Sequence, residues 1–507
     1  MLRLAAFASL ALWAAPADSR AAAAPGSRTA HGPNFVILLA DDYGWGDPSP
    51  PLGAGIGQTP ELNAMALAPG AAHFPRSYIG GSVCSPSRAS ILTGRSCTRD
   101  CVISVESMAL PLQLQGNTIG DVALAAGYAT MFAGKFHLGS MTNTTSTGCY
   151  PASRTNSSCL PGYVQLAPPA NGTCCDGRDG LLPQRTPLDF GFRDVFATSQ
   201  VAPSATSNCG CTESVPGAGV GCELGHYAGS GHYPEWLPAL ECMSTYETKP
   251  DGSWAPFNEV TDVDDAQQLV NRFERFVLQA VQADTPFLAN IFFHQTHIPY
   301  VSPPEFRVPY ENYTFNEQDY YGSAAAMDAQ VGRVRRLLRD LGLAENTMVV
   351  FSADNGPEVD PASGQGTTTF SNPGSTGGLS GRKRAMLEGG IRVTGVIEAP
   401  WLVAKANGGR GGPLRLADFA QSHVDLLPTV LDLLNATRAH DAWPLDGVSL
   451  VPALSGSATE RPNALGWMCA WPLTRDDAGA DCPDGTQTPP SFPPGFSLPA
   501  GQLRESR

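Results

Sequence analysis

The sequence is poor in charge, and what it carries is mostly negative: charged residues make up 16%, with 32 Lys and Arg against 47 Asp and Glu, for a formal net charge of −15. No basic run longer than three residues occurs, so the electrostatic footprint of a nucleic-acid partner is missing. Long apolar runs are just as scarce. After the first residues no segment approaches the ~20 apolar residues of a membrane span, and none is expected. Cysteine and histidine at zinc-finger spacing are also absent: Cys209-Gly210-Cys211 and the doublet Cys174-Cys175 have no partners at the required intervals. Against these absences stands a hydrophobic content of 42%, enough for a sizeable core. A length of 507 residues then fits one large domain with a small appendage.

The N-terminus has a charged start, Met1-Leu2-Arg3, an apolar stretch from Leu4 to Ala15 broken by Pro16, and the small residues Ala21 to Ala24. This pattern predicts a signal peptide over residues 1–24 and places the protein in the secretory pathway, in an extracellular or lysosome-like compartment. Glycosylation acceptors at Asn143, Asn156, Asn171, Asn312 and Asn435 fit that route. An oxidising compartment predicts disulfides among Cys97, Cys101, the cluster from Cys149 to Cys242, Cys469 and Cys482, with connectivity left open. The cysteines number 13, so one is left over. Cys84 has the strongest reason to be that one.

Cys84 opens Cys84-Ser85-Pro86-Ser87-Arg88-Ala89-Ser90-Ile91-Leu92-Thr93-Gly94-Arg95. Pro86 suits the first helical position, Ala89, Ile91 and Leu92 give an apolar turn, and Gly94 is a helix stop. Cys84 is therefore expected at the mouth of a short helix, where free N–H groups favour an anion, with Arg88 reaching back to it.

Four apolar runs each end in a polar cluster. Asn34 to Ala40 leads into Asp41-Asp42, Tyr128 to Ala133 into Gly134-Lys135-Phe136-His137, Phe287 to Phe293 into His294-Gln295-Thr296-His297, and Thr347 to Ala353 into Asp354-Asn355. Helical spacing between them, from Asp264 to Val281 and from Tyr321 to Leu341, predicts an α/β fold built on a mostly parallel sheet. Ligands of such sheets sit beyond the carboxyl ends of the strands, so the four clusters can converge. Residues 143–258, rich in Gly, Pro, Ser and Cys, are read as a Cys-rich insertion over the sheet, either near the substrate entrance or a peripheral glycosylated loop.

The string from Cys84 to Arg95 resembles the sulfatase signature, in which the cysteine is converted after translation to formylglycine. Four further motifs share the resemblance: Asp41-Asp42-Tyr43-Gly44, Gly134-Lys135-Phe136-His137-Leu138-Gly139, Asp354-Asn355-Gly356-Pro357 and Glu388-Gly389-Gly390-Ile391-Arg392. The resemblance implies an alkaline-phosphatase-like fold and a catalytic domain over 32–454. Beyond it lies a Pro-rich tail over 455–507, a short or truncated appendage where the family has a small antiparallel sheet. It implies a sulfuric ester hydrolase of arylsulfatase type that acts through a sulfated-enzyme intermediate.

The implied metal is one calcium ion held by Asp41, Asp42, Cys84, Asp354 and Asn355; the hard oxygen donors by themselves select calcium or magnesium rather than zinc. The implied catalytic set is Cys84, Arg88, Lys135, His137, His297 and Lys383, although Arg382 and Arg384 flank Lys383 and could take its register. Gly44 and Gly356 are read as tight-turn residues. His294 is read as a supporting residue, His423 is given no role, and Ser199 is left outside the set. The implied partners are a sulfated carbohydrate or aryl sulfate substrate and, during maturation, the formylglycine-generating enzyme. Two other readings stay open: a phosphonate or phosphate ester hydrolase of the same superfamily, and a non-catalytic glycosylated binding protein with Cys84 unmodified.

Overall fold

The structure, a computed structural model, describes residues 32–100, 102, 110–139, 185–198, 245–257, 264–298, 300, 302–358, 372–409, 411–439, 444–467, 480–481 and 487–488. The expected signal peptide, Asn143, Asn156, Asn171, Ser199 and most of the expected cysteine pairs lie outside them.

Twelve of the strands are β1 (Asn34–Ala40), β2 (Ala71–His73), β3 (Ser77–Tyr78), β4 (Ala129–Lys135), β5 (Asp194–Thr198), β6 (Thr245–Thr248), β7 (Trp254–Pro256), β8 (Phe287–Phe292), β9 (Thr347–Ala353), β10 (Arg392–Val393), β11 (Val396–Glu398) and β12 (Leu414–Arg415). Ten of them form one sheet in the order β12-β2-β11-β9-β1-β8-β4-β5-β6-β7. Its centre, β9-β1-β8-β4-β5, is parallel. Both flanks turn antiparallel, through β11 on one side and through β6 and β7 on the other. The sheet is thus mixed, with the expected parallel part at its heart.

Period-two alternation along the central strands feeds two cores. Phe35, Ile37 and Leu39 of β1 join Leu288, Phe292, Met348 and Val350 on one face, where Ala89, Ile91, Leu92, Leu426 and Leu427 cover them. Val36, Leu38 and Ala40 join Ala289, Ile291, Val349 and Phe351 on the other, under Leu269, Phe273, Met327 and Val331. Each large apolar side chain buried this way contributes about 1.5–3 kcal/mol.

The helices on the second face have legible starts. Asp264 caps the Asp265–Gln282 helix by accepting from Gln267 N. The Phe315–Asp340 helix begins six residues before the expected Tyr321, because Thr314 and Glu317 form a reciprocal capping box ahead of the apolar stripe.

The expected insertion needs correction. Its described parts include β5, β6 and β7, which extend the main sheet. Alternation in strands of three to five residues is too brief to stand out from the surrounding Gly, Pro and Ser. Beyond Leu454 the described chain also packs on the body: Arg461 pairs with buried Asp425, and Trp467 Nε1 donates to Ile79 O at 2.7 Å.

Candidate active site

The four polar clusters do converge. Asp41 and Asp42 follow β1, His297 follows β8, Asp354 and Asn355 follow β9, and Lys135 ends β4 with His137 just beyond. These strands are neighbours in the order β9-β1-β8-β4, so their carboxyl ends meet. Asp42 and His137 both sit in the left-handed region, at φ 58 and 55, where the chain turns sharply off its strand. Gly44 and Gly356 are required for close approach rather than for positive φ: a Cβ on them would lie 2.1 Å from Ser375 O and 2.1 Å from Gly389 O.

Cys84 lies at the start of the Cys84–Thr93 helix, which ends at Gly94 with φ 64. Pro86 is the third helical residue rather than the first, still in the turn whose N–H groups lack helical partners. Cys84 Sγ stands 3.7 Å from Asp41 Oδ1. One turn on, Arg88 is fully buried: Nε and Nη2 donate to Asp354 Oδ2 at 3.0 and 2.7 Å, and Nη1 donates to Lys135 O at 2.5 Å. Its Nη2 is also 3.4 Å from Asp41 Oδ2.

The remaining cations divide between the two aspartates. Lys135 Nζ is 2.6 Å from Asp41 Oδ2, and Lys383 Nζ is 2.8 Å from Asp42 Oδ2. The other two members of the basic triplet turn elsewhere: Arg382 donates to the carbonyls of Glu358, Asn372 and Gly374, and Arg384 pairs with Glu358. His297 Nε2 lies 3.6 Å from Asp42 Oδ2, while its Nδ1 donates to Ile298 O.

Burial sets the proton affinities here. It works to raise Asp41, but Lys135, Arg88 and Lys383 outweigh it and hold that carboxyl below the usual range. Asp42 is pushed up to about 7 by burial, with Lys383 opposing. Burial, then the cations, lowers His137 and His297 well below ordinary imidazole, and burial pushes the Cys84 thiol up to about 12.

Donor atoms of Asp41, Asp42, Cys84 and His297 lie within 4.8 Å of one another, a group that could hold a cation. His297 in that group was not among the expected ligands. Asp354 and Asn355 join it through Asp42: Asp42 N donates to Asp354 Oδ1 at 3.1 Å, and Asn355 Nδ2 donates to Asp42 Oδ1 at 2.7 Å. Asn355 Oδ1 is buried without a hydrogen-bond partner, as an oxygen aimed at a cation would be.

Three residues at or beside the site escaped the sequence reading. Glu358 lies 3.3 Å from Lys383, and its one visible signal is that it follows the Asp354-Asn355-Gly356-Pro357 motif. Asp47, pushed up to about 7 by burial, accepts from Tyr320, Ser375 N and Gly44 N. His423 joins Ser87 Oγ (2.8 Å) to Ser352 Oγ (3.0 Å), with no motif to mark it. His294 is supporting, as expected, bonded to Asp265 and Thr198. Cys97, expected in a disulfide, is instead a buried free thiol against Gly80 O.

Arylsulfatase A of Homo sapiens is 29% identical over 461 residues, covering 90% of this chain and 75% of that protein. Steryl-sulfatase of Homo sapiens is 27% identical over 462 residues, covering 85% and 71%. Among solved structures, Ps i-CgsB in complex with k-i-k-neocarrahexaose superposes with a TM-score of 0.59 at 19% identity, covering 85% of this chain and 78% of that one, which shows a shared fold. The sulfatase family profile matches residues 33–436, from the first strand of the sheet through the signature helix to the helix that ends at Leu434. The chain belongs to the sulfatase family.

Proposed function

We propose that the protein is a sulfuric ester hydrolase that uses a hydrated formylglycine made from Cys84 beside one calcium ion. The observation that carries the reading is the placement of Cys84, 3.7 Å from Asp41 Oδ1 at a helix N-terminus whose Arg88 contacts both Asp354 and Asp41. Buried carboxylates interleaved with Arg88, Lys135 and Lys383 suit a tetrahedral anion and a divalent cation together.

The donor set fits calcium. Asp41, Asp42, Asp354 and Asn355 offer hard oxygens, and the unpartnered Asn355 Oδ1 is the kind of atom a cation would satisfy. These four, with the side chain at 84, would hold the ion, which when bound supplies Lewis-acid charge to a sulfate oxygen and to the nucleophilic hydroxyl. The aldehyde hydrate at 84 would supply that hydroxyl, and a second one whose deprotonation re-forms the C=O and expels sulfate with the first oxygen.

The chain's own residues do the rest. Arg88 and Lys135 hold and neutralise sulfate oxygens. Lys383 and His297, both against Asp42 Oδ2, attend the departing alcohol. His137 lies past the end of β4 with Nδ1 buried and unpartnered, and takes the proton of the second hydroxyl. The substrate is an aryl sulfate or a sulfated carbohydrate, and the formylglycine-generating enzyme acts during maturation. Residues 1–24 serve as a signal peptide into the secretory pathway, and glycans attach to Asn312 and Asn435, both exposed. No helix among the described residues is long and apolar enough to cross a membrane.

The test is protein coexpressed with the converting enzyme. Peptide mass at position 84 reports the thiol-to-aldehyde change, and an aryl sulfate is compared with an aryl phosphate, then with a panel of sulfated glycans. Unmodified thiol throughout, with no turnover, would favour a binding protein; faster turnover of the phosphate would favour a phosphoester hydrolase.

A further inference from the structure

We propose that Arg384 forms a subsite for a second anionic group on the alcohol part of the substrate, so that preferred esters carry a carboxylate or another sulfate beside the scissile one. This rests on the sulfatase reading above and deepens it by naming a substrate class.

The three consecutive cations Arg382, Lys383 and Arg384 diverge. Arg382 is spent on backbone carbonyls of the loop. Lys383, its side chain 4% exposed, turns inward to Asp42. Arg384 turns outward, its side chain 33% exposed, yet remains one carboxylate away from Lys383 because both pair with Glu358. Along this line the charges run from Lys383, proposed above to attend the departing alcohol, out to the partly exposed Arg384. A guanidinium at its outer end meets whatever the alcohol carries.

Three features mark Arg384 as placed rather than incidental. Its φ is 74, in the left-handed region that favours glycine, and backbone outliers of this kind gather at ligand-binding sites. Its backbone N–H donates to Ser82 O at 3.0 Å, which ties its loop to the residues just before Cys84. Both Nη atoms also donate to the Glu358 carboxylate, so the guanidinium is ordered before any ligand arrives and little freedom is left to lose on binding. Arginine's planar fork matches carboxylate and sulfate alike.

The experiment uses the converted full chain and matched leaving groups: a nitrophenyl sulfate bearing a carboxymethyl group, its neutral methyl ester, and an analogue with a second sulfate. The parent is expected to favour the doubly anionic esters over the neutral one by about tenfold or more, through KM. Arg384→Gly, which relieves the backbone, should erase that preference without lowering Tm, and Arg384→Lys should restore part of it. An equal fall on all three esters, or a ratio unchanged in Arg384→Gly, would mean a loop-holding role only and overturn the subsite while leaving the sulfatase reading intact. Failure of the parent to turn over any of the three would overturn both.

Discussion

Lys383 and Asp42 stand 341 positions apart in sequence and 2.8 Å apart in space, both buried. Among the described residues no other lysine or arginine stands so near Asp42. Lys383→Ala is therefore expected to lower kcat/KM on an aryl sulfate by about 10²–10³-fold, the loss typical of removing one stabilising donor from a dry site. It should also make Tm depend more steeply on added calcium, since a bound cation would be the counter-charge left for that carboxylate. Calcium titrations of Tm for parent and variant check this; equal dependence would refute the pairing as Asp42's main support.

The Asn355 amide oxygen gives a second test. It is buried and unpaired while Nδ2 of the same side chain holds Asp42. A cation bound there stabilises the native state by mass action, about 2.7 kcal/mol at 100 times its dissociation constant. Chelation should lower Tm and calcium restore it, while Asn355→Ala should shrink the shift. A Tm indifferent to chelator and calcium would count against the site.

His423 predicts an acid sensitivity. Burial lowers its imidazole from 6.5 to about 3, with the nearby Asp354 only partly opposing. Below 6.5 the unfolded chain takes up a proton that the native chain refuses until about 3. Stability from this group is therefore complete above 6.5 and is lost as pH falls, by about 1.4 kcal/mol per pH unit within the window. Asp47 and Asp328, both raised to about 7 by burial, titrate in the opposite sense, so the variant isolates the effect. His423→Asn should start less stable at pH 7.5, by about 1–3 kcal/mol for the lost bonding between Ser87 and Ser352. It should then lose less than the parent on going to pH 4.5. Parallel losses in denaturant midpoints at the two pH values would rule this out.

What the sequence revealed was whatever local pattern determines. β1 and β9 could be delimited because both faces are buried and the run is uninterrupted. Asp41, Lys135, His297 and Asp354 were legible because each ends or follows an apolar strand, and parallel neighbours bring carboxyl ends together. Strands β5 to β7 were missed because they are short and sit among turn residues. Glu358 and His423 were missed for another reason: their partners come from distant strands and loops, so only the tertiary fold gives them a role. Arg384 was visible as a charge but not as a position, since nothing in the triplet says which way each side chain turns.

The contrast between two arginines provides the sharpest stability test. Arg88 is fully buried, with Nε and Nη2 on Asp354, Nη1 on the Lys135 carbonyl, and its guanidinium 5.5 Å from the centre of the Phe292 ring. Lysine cannot reproduce that fork: it would leave the Lys135 carbonyl or part of the Asp354 carboxylate unpaired in a dry interior. Breaking such a pair costs about 3–5 kcal/mol. Arg99 also pairs with an aspartate, Asp446, at 2.9 Å, but its side chain is 51% exposed. There solvent screens the charge and lysine can follow the same partner, so the change should stay within about 0.5 kcal/mol. Arg88→Lys is thus expected to lower the denaturant midpoint clearly and to abolish turnover, and Arg99→Lys to leave both near the parent. Similar midpoints for the two variants would mean that the Arg88 fork contributes no more than a surface pair, and the electrostatic design attributed to this site would fail with it.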